Sequence, residues 1–365
     1  MLKRLYIDNF RCFVNFEFKP GQKQLLLGPN GSGKSSLLDA ILFVKWFIEG
    51  GENRFTQSTL TRWQDRPLQV FEIEALIDEK TFEYRLEIRY APDSKLPSIS
   101  AETLRVSGSP VFELVDGEVR FYPNDGPEPT GLRWETTESA LHLAQFSNRY
   151  VRRFVAWMET VHCFQIDPYP GEMEERADSE DRLPEYDLSN LAPWYRHLLQ
   201  EEPENNSRFL IALKEALASF QSLRFSTDED GVRKLRMHFA TPEKDARPFS
   251  ISELSEGQRM LIGLYMVLHF AVAKGHTVIL DEPDNFVSSR EIQPWLLAAE
   301  QSVEDNKGQL ILISHHPEIL NQWASEYGLR FFREENGHVR TEEFKGDADG
   351  FLRPSELIAR GWKDE

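Results

Sequence analysis

The stretch Gly28-Pro29-Asn30-Gly31-Ser32-Gly33-Lys34-Ser35 decides the fold of this chain. It follows a short apolar run at residues 23–27 and precedes the helix-forming stretch LLDAILFVKWF at residues 37–47. A glycine-rich loop between a strand and a helix brings backbone N–H groups close to phosphate oxygens, and the start of the helix favours an anion. In this GxxxxGK[ST] pattern Lys34 is predicted to reach the β- and γ-phosphates, and the Ser35 hydroxyl to bind Mg²⁺. The predicted nucleotide-binding residues of the loop are Asn30, Gly31, Ser32, Gly33, Lys34, Ser35 and Ser36.

A second motif places two carboxylates at the end of an apolar run, Val278-Ile279-Leu280-Asp281-Glu282-Pro283. The run is typical of a buried parallel strand, and a predicted helix at residues 291–304 separates it from a second such run at residues 310–313. This β–α–β order predicts a parallel sheet covered by helices. Asp281 is predicted to hold Mg²⁺, and Glu282 to polarise an attacking water.

Two further motifs lie on either side of these carboxylates, Leu254-Ser255-Glu256-Gly257-Gln258 and Ser314-His315-His316-Pro317. Ser255 opens a predicted helix 26 residues before Asp281 (281 − 255), and a serine in that place is ordinarily an N-cap. One histidine of the second motif is predicted to contact the γ-phosphate, although a histidine after a strand is ordinarily a surface residue. His315 is favoured over His316 because it follows Ser314 directly at the strand end.

In this order, the phosphate loop, LSEGQ, ILDEP and ISHH resemble the Walker A, signature, Walker B and switch-histidine motifs of the ABC ATPase superfamily. The opening segment LKRLYIDNFRCF at residues 2–13 is similar to the first strand of RecF-, SMC- and OLD-type ATPases. The resemblance implies an α/β ABC-ATPase head, a P-loop NTPase with a parallel core sheet, an antiparallel β subdomain and a helical lobe. A coiled-coil arm is not expected because no heptad pattern is sustained. A nuclease domain is not expected either, because only 49 residues follow His316 (365 − 316).

The resemblance also implies how such a site works. ATP and Mg²⁺ would be sandwiched in a homodimer, with Ser255, Gly257 and Gln258 of one copy completing the site of the other. Gln145 is the residue expected to contact Mg²⁺ and sense the γ-phosphate. Gln165 is the alternative, because it also follows a strand-like run. The implied catalytic residues are Lys34, Glu282 and His315.

We expect one ATPase head over residues 1–365, divided into five parts along the chain. These are a Walker A half (1–50), an antiparallel β insertion (51–135), a Q-loop and helical lobe (136–250), a half with the signature, Walker B and switch histidine (251–345), and a C-terminal tail (346–365). Alternating apolar and polar residues around positions 78–80 predict a β-hairpin. Residues 147–160 and 191–220 are predicted to be helical, and the acidic, proline-containing stretch 167–187 to be an exposed loop.

The composition restricts the partners that this chain can bind. Lys and Arg number 42 and Asp and Glu 60, so the formal net charge is −18. That balance is poor for coating nucleic acid by bulk electrostatics, because phosphates must be met by cations. Two clusters of basic residues could bind a phosphate backbone. The favoured interpretation is that they are solvated faces or ion-pair partners. The clusters are Arg149, Arg152 and Arg153, and Arg233, Lys234 and Arg236. Nucleic acid therefore stays open as a partner.

The sequence predicts neither a membrane partner nor secretion. It has no run of about 18 apolar residues, the length a membrane-spanning helix needs. The N-terminus lacks the apolar core and cleavage site of a secretion signal. Only Cys12 and Cys163 are present, which is typical of a reduced compartment. The expected location is the cytoplasm.

Three classes of function are weighed against each other. The favoured one is a dimeric, ATP-driven switch that acts with a separate effector protein or with nucleic acid, in antiphage defence or DNA maintenance; a RecF-like DNA repair ATPase is the alternative. A transporter ATPase subunit is disfavoured because 220 residues (255 − 35) separate Ser35 from Ser255. A catalytically weak, ATP-clamped binding module is disfavoured by the intact Lys34, Asp281 and Glu282.

Overall fold

The computed structural model forms two compact units. It describes residues 1–50, 54–91, 97–122, 130–134, 137–146, 148–169, 171, 173–228, 231–240, 246–347 and 351–361. The first unit comprises Met1–Val161 and Tyr327–Phe344, and the second His162–Glu326 and Lys345–Glu365. Position 147 of a predicted helix and positions 170 and 172 of the predicted acidic loop lie outside the described residues.

The secondary structure of the described residues is mixed, with runs of consecutive strands in some parts and alternating strands and helices in others. The strands are β1 (Leu2–Asp8), β2 (Phe16–Phe18), β3 (Lys23–Leu27), β4 (Leu68–Ile77), β5 (Lys80–Arg89), β6 (Ser98–Val106), β7 (Ser109–Val115), β8 (Glu118–Phe121), β9 (Thr130–Arg133), β10 (Val161–Phe164), β11 (Phe220–Thr227), β12 (Arg233–Ala240), β13 (Ala246–Phe249), β14 (Thr277–Asp281), β15 (Gln309–Ile313), β16 (Gly328–Arg333) and β17 (Val339–Glu343). The helices are α1 (Lys34–Ile48), α2 (Leu141–Ala144), α3 (Arg149–Glu159), α4 (Leu191–Glu201), α5 (Pro203–Ala216), α6 (Glu256–Phe270), α7 (Ser289–Asn306), α8 (Pro317–Tyr327) and α9 (Pro354–Ala359). Short 3₁₀ turns cover Gln57–Thr59, Ile251–Glu253, Val272–Lys274 and Glu334–Asn336.

An antiparallel sheet in the order β2-β1-β4-β5-β6-β7-β8-β9 dominates the first unit. β4 and β5 pair along their whole length. Asp78 and Glu79 form the turn between them, and both are left-handed, with φ of 47° and 64°. Two left-handed residues are the signature of a type I′ turn, whose twist matches that of the flanking strands. The predicted hairpin is therefore confirmed.

The phosphate loop lies between β3 and α1 in the same unit, as the sequence predicts. β3 pairs in parallel with β16, and β16 pairs antiparallel with β17. α1 buries Leu37, Ala40 and Val44 completely, the spacing of one apolar helix face. Gly50 follows the end of α1 with a φ of 76°, which is the left-handed conformation that commonly stops a helix.

A buried lysine joins α1 to α3. Lys45 is 8% exposed, and its Nζ donates to the carbonyl oxygens of Met158 at 2.8 Å and Glu159 at 3.2 Å. The last carbonyl groups of a helix have no partner within the helix. The Lys45 ammonium therefore caps the C-terminal end of α3, and it also pairs with the carboxylate of Glu49 at 3.0 Å.

The second unit contains the strands that carry the predicted carboxylates and histidines. β10, β14 and β15 are neighbours in that order. β14 and β15 pair in parallel, from Thr277 opposite Gln309 to Asp281 opposite Ile313, and α7 connects them. Every residue of both strands is buried, as in sheets with helices on both faces. The predicted β–α–β order is confirmed.

The segment predicted to be a helical lobe also contains a sheet. α5 ends at Ala216, and β11, β12 and β13 form an antiparallel sheet. The prediction that helix continues to residue 220 is therefore wrong. β12 alternates buried Leu235 and Met237 with the more exposed Lys234 and Arg236, a period of two that is typical of a strand.

Two further observations concern the membrane and the thiols. Among the residues that the structure describes, no helix is long and apolar enough to cross a membrane. Cys12 and Cys163 are buried free thiols. The cytoplasmic location stays a prediction.

Candidate nucleotide-binding site

The backbone of the phosphate loop lies too close to two strands for side chains at two of its glycines. A Cβ on Gly28 would lie 2.3 Å from the carbonyl oxygen of Phe331 in β16, and one on Gly33 would lie 2.7 Å from Cγ2 of Val339 in β17. Both glycines have a positive φ, 143° and 105°, which other residues rarely adopt. Gly31 has a φ of 78° and open space beside its Cα. The loop thus presents backbone that a ligand can approach closely.

Two buried side chains and a helix start suit an anionic ligand at this loop. Lys34 is 6% exposed, and its Nζ donates to the carbonyl oxygens of Gly28 at 2.7 Å and Pro29 at 3.2 Å. The Ser32 hydroxyl is buried without a hydrogen-bond partner among the described residues. α1 begins after Gly33 with neither a side-chain cap nor an acidic residue in its first turn, so the positive end of its dipole suits an anion. A chain of phosphates fits this arrangement.

Arg333 of β16 contacts the phosphate loop, although it belongs to none of the sequence motifs. Its Nη1 donates to the carbonyl oxygen of Gly31 at 3.2 Å. Its guanidinium also lies over the ring of Trp63, 4.8 Å from the ring centre. The sequence could not reveal this contact, because 302 residues separate Arg333 from Gly31.

The two carboxylates predicted to serve hydrolysis and metal binding occupy different environments at the end of β14. Asp281 is 7% exposed, whereas Glu282 is half-buried. Glu282 has a φ of 50°, a left-handed conformation that turns the chain sharply and that is concentrated at functional sites. Its N–H donates to the carbonyl oxygen of Ile313 at 2.8 Å, and its Oε2 accepts from Asn285 Nδ2 at 2.7 Å. The Glu282 carboxylate is therefore fixed in position while remaining accessible.

Asp284, which sequence reasoning missed, helps to hold the loop that carries the histidines. Its carboxyl is hydrogen-bonded to Ser314; burial raises the pKa of Asp284, and that hydrogen bond opposes the rise. Ser314 Oγ accepts from the N–H of His316 at 2.9 Å, and His316 Nδ1 accepts from the N–H of Glu318 at 3.2 Å. The His316 ring is therefore engaged in local structure, whereas His315 is exposed.

The LSEGQ segment starts α6 with a capping box. Ser255 Oγ accepts from the N–H of Gln258 at 3.2 Å, and Gln258 Oε1 accepts from the N–H of Ser255 at 3.0 Å. A Cβ on Gly257 would lie 2.7 Å from the carbonyl oxygen of Phe286, so this position requires glycine. Ser255 is an N-cap and is exposed; its role across a dimer stays a prediction.

A buried arginine beyond the motif fixes the backbone that precedes it. Arg259 is 1% exposed. Its Nη1 donates to the carbonyl oxygen of Leu254 at 2.7 Å and to those of Ile251 and Ser252 at 3.3 Å, and its Nε donates to that of Pro168. The only signal in the sequence is a charged residue directly before the apolar run at residues 260–268.

The structure argues against the metal role predicted for Gln145. Its Nε2 donates to the carbonyl oxygen of His142 at 3.0 Å, and His142 Nδ1 lies 3.6 Å from where a Cβ on Gly50 would be. Gly50 follows the end of α1, whose 15 residues span about 22 Å, whereas Ser35 lies at its start. The alternative, Gln165, directly follows β10, a neighbour of β14.

A buried glutamate holds the segment that leads to α2 and Gln145. Glu102 of β6 is fully buried. It accepts hydrogen bonds from Tyr84 Oη at 2.9 Å, Ser139 Oγ at 2.6 Å and the N–H of Ala140 at 3.1 Å. Burial raises the pKa of Glu102 from 4.5 to about 7, and the three hydrogen bonds oppose that rise.

The donors suit a metal ion that arrives with a nucleotide. No group of three or more His, Cys, Asp and Glu side chains among the described residues could hold a metal by itself. Mg²⁺ in proteins commonly binds one or two oxygen side chains together with the phosphates of its substrate. The Ser35 hydroxyl and the Asp281 carboxylate are donors of this kind.

Comparisons with known proteins agree with these features. Residues 25–321 match the family described as "AAA domain, putative AbiEii toxin, Type IV TA system", and residues 2–45 match the "P-loop containing region of AAA domain". The chain aligns over 94% of its length with an SMC head bound to the C-terminal winged-helix domain of ScpA, covering 98% of that chain at 13% identity and a TM-score of 0.53. The SMC head domain from Thermotoga maritima aligns over 94% and 99% of the two chains at 14% identity, with a TM-score of 0.48.

A short stretch also matches a curated protein. It is 46% identical over 41 residues to the OLD nuclease of Thermus scotoductus, and it covers 11% of this chain and 8% of that protein. The chain therefore spans a small part of this relative. Fold and phosphate loop together define a P-loop ATPase domain of the AAA type, with an SMC-head-like α/β fold. The chain belongs to the AAA-domain family that carries the AbiEii description, since the match spans well over half of it.

We expect Glu102→Gln to remove a pH-dependent part of the folding free energy. The pKa of Glu102 is about 7 in the folded chain against an ordinary 4.5, so the folded state binds more protons between these values. Stability then falls as the pH rises through this window. Between pH 5 and 8 the loss from this one group is about 2–3 kcal/mol. Urea unfolding at both pH values measures it.

The matched control is Glu83→Gln, an exposed glutamate on the neighbouring strand β5. It should keep the wild-type pH dependence. If Glu102→Gln keeps it too, Glu102 is ionised in the folded chain and the argument fails.

We expect Arg259→Met to destabilise the chain by about 2–3 kcal/mol, because it leaves buried carbonyl oxygens without donors. Urea unfolding gives the free energy. Arg290→Met, an exposed arginine on α7, is the control and should change stability by less than about 0.5 kcal/mol. Equal stability of the two variants would show that Arg259 does not hold the LSEGQ backbone.

Proposed function

We propose that this chain binds and hydrolyses ATP with Mg²⁺ between two copies of itself, and that the ATP cycle switches a separate effector protein. The observation that carries the proposal is the phosphate loop. Its crowded glycines, buried Lys34 and uncapped helix start suit a chain of phosphates. Membership of a P-loop ATPase family supports nucleotide binding and ATPase activity in general.

In this proposal the loop binds ATP through its backbone and one cation. Lys34 exchanges its bonds to loop carbonyls for stronger charge-assisted bonds to phosphate oxygens. The Ser35 hydroxyl and Asp281 hold Mg²⁺, which when bound neutralises phosphate charge. Gln165 takes the metal-sensing role that was predicted for Gln145.

Hydrolysis in this proposal depends on three positioned side chains. Glu282 accepts a proton from the attacking water, and the Asn285 amide at 2.7 Å keeps its carboxylate oriented. His315, exposed beyond β15, contacts the γ-phosphate. Lys34 stabilises the charge that develops on the transferred phosphoryl group.

The second copy supplies the rest of the site. Ser255 is exposed at a helix start, where N–H groups and the helix dipole attract an anion. Ser255, Gly257 and Gln258 of one copy then bind the γ-phosphate held by the other. The capping box and Arg259 hold the start of this helix in its conformation before the second copy binds.

The biological setting that we propose is antiphage defence or DNA maintenance in the cytoplasm. The AbiEii description of the family and the stretch shared with an OLD nuclease support this setting. A RecF-like DNA repair ATPase is the second candidate, supported by the SMC-head-like fold. A transporter ATPase subunit has less support, because 220 residues separate Ser35 from Ser255 (255 − 35).

We expect Glu282→Gln to trap a dimer in the presence of ATP, because ATP is bound but the water is not activated. Light scattering after size exclusion should give twice the monomer mass with ATP and the monomer mass without it. Adding Ser255→Arg to Glu282→Gln should return the monomer while ATP binding persists, because the arginine blocks the interface and not the phosphate loop.

Two controls separate this result from general damage. Glu326→Gln, an exposed glutamate of α8, should behave like wild type. Lys34→Ala should lose ATP binding. A Glu282→Gln protein that binds ATP and stays monomeric would refute the sandwich, and unchanged ATP affinity in Lys34→Ala would refute the loop assignment.

ATP turnover, measured with and without linear double-stranded DNA, distinguishes the two settings. For a switch acting on an effector protein, we expect wild-type turnover to be independent of DNA and to be lost in Glu282→Gln. Turnover stimulated by DNA would instead support the RecF-like candidate. Wild-type turnover in Glu282→Gln would contradict the proposed general base.

A further inference from the structure

A basic cleft in the first unit is not used by the proposed ATPase site. It lies between α3 and the β4–β5 hairpin and has a volume of about 430 Å³. Its floor is apolar, and cations form its rim. The residues that define this basic cleft are Ile77, Phe82 and Ala156 on the floor and Asp78, Lys80, Arg149, Tyr150, Arg152 and Arg153 on the rim.

The charge of the cleft is opposite to that of the chain. Asp78 is the one carboxylate among its lining residues, and it pairs with Arg153. Lys80, Arg149 and Arg152 add three more cations, all exposed. The chain as a whole carries −18. A concentrated positive cleft on an acidic protein attracts an anionic partner.

Tyr150 organises two of these cations. Its hydroxyl accepts from Lys80 Nζ at 3.0 Å and from Arg149 Nη2 at 3.1 Å. The same two cations lie over its ring, 4.8 and 4.9 Å from the ring centre. These contacts fix where the positive charges of Lys80 and Arg149 lie.

The floor of the cleft is apolar and packs against α3. Phe82 is buried and stacks on Phe154 of α3, with ring centres 6.3 Å apart and planes 13° apart. A site for a phosphate backbone gains little from an apolar floor, because its affinity comes from cations. A peptide segment with an apolar anchor and flanking carboxylates uses both parts of the cleft.

We propose that the basic cleft is a docking site for an acidic segment of a partner protein. One apolar side chain of that segment lies on Ile77, Phe82 and Ala156, and its carboxylates pair with the rim cations Lys80, Arg149 and Arg152. The cleft helix α3 is capped by Lys45 of α1, the helix that begins at the phosphate loop. This site gives the effector of the proposed function a place to bind, although docking itself requires no nucleotide.

A displayed library of random 12-residue peptides, selected on the full chain without ATP, tests the proposal. Enriched peptides should carry two or more acidic residues around one large apolar residue. A synthetic, fluorescent copy of an enriched peptide should bind, by polarisation, at least about tenfold more weakly to Arg149→Glu/Arg152→Glu. Arg89→Glu, an exposed arginine of β5 outside the cleft, should bind it like wild type.

A second variant keeps the charges and fills the floor. Ala156 is exposed on α3, so Ala156→Trp should fold like wild type and still weaken the peptide at least about tenfold by occupying the apolar floor. Thermal unfolding of every variant checks the fold. Undiminished binding to Ala156→Trp would show that simple charge attraction, and not the cleft, holds the peptide.

Other outcomes overturn the proposal. The proposal is wrong if the enriched peptides lack acidic residues, or if the binding of none of them depends on Arg149 and Arg152. A twelve-residue oligothymidine that binds through these arginines while the peptides do not would assign the cleft to nucleic acid. All arms are repeated on Lys34→Ala, so failure of the proposed ATPase function and failure of the docking site give different results.

Discussion

The close approach of the phosphate loop to β16 and β17 is the constraint on which the first unit depends. Gly28 and Gly33 lie where any Cβ would overlap Phe331 or Val339. Chain segments about 300 residues apart therefore meet at this loop. α1 begins directly after the loop, buries one apolar face and contributes the Lys45 cap on α3.

Features encoded within a few neighbouring residues could be predicted from the sequence. The phosphate loop, the β4–β5 hairpin with its turn at Asp78 and Glu79, and the parallel pair β14 and β15 all follow from local pattern. Glycine spacing, alternation of apolar and polar residues, and short apolar runs each indicate the backbone conformation directly. The predicted site residues on these elements follow from the same local patterns.

Features that depend on distant partners could not be predicted. Arg259 looks like a surface residue in a helix, yet it is 1% exposed because carbonyl oxygens of a preceding loop surround it. Glu102 looks like the polar side of a strand, yet residues 139 and 140 bury it. Gln145 was selected by resemblance alone, and its contact with His142 at the far end of α1 argues against that choice. Each case depends on which distant segment packs against the residue, and the local periodicity of the sequence does not contain that information.

The two histidines after β15 differ in contacts that their spacing in the sequence does not reveal. His316 Nδ1 accepts from the N–H of Glu318, and its Nε2 lies 3.4 Å from Ser289 Oγ. A ring held at both nitrogens cannot turn toward a ligand without breaking two contacts. Ser314 binds both Asp284 and the N–H of His316, so the loop backbone is held as well. His315 is exposed on this fixed loop, and it remains the histidine that we propose contacts the γ-phosphate.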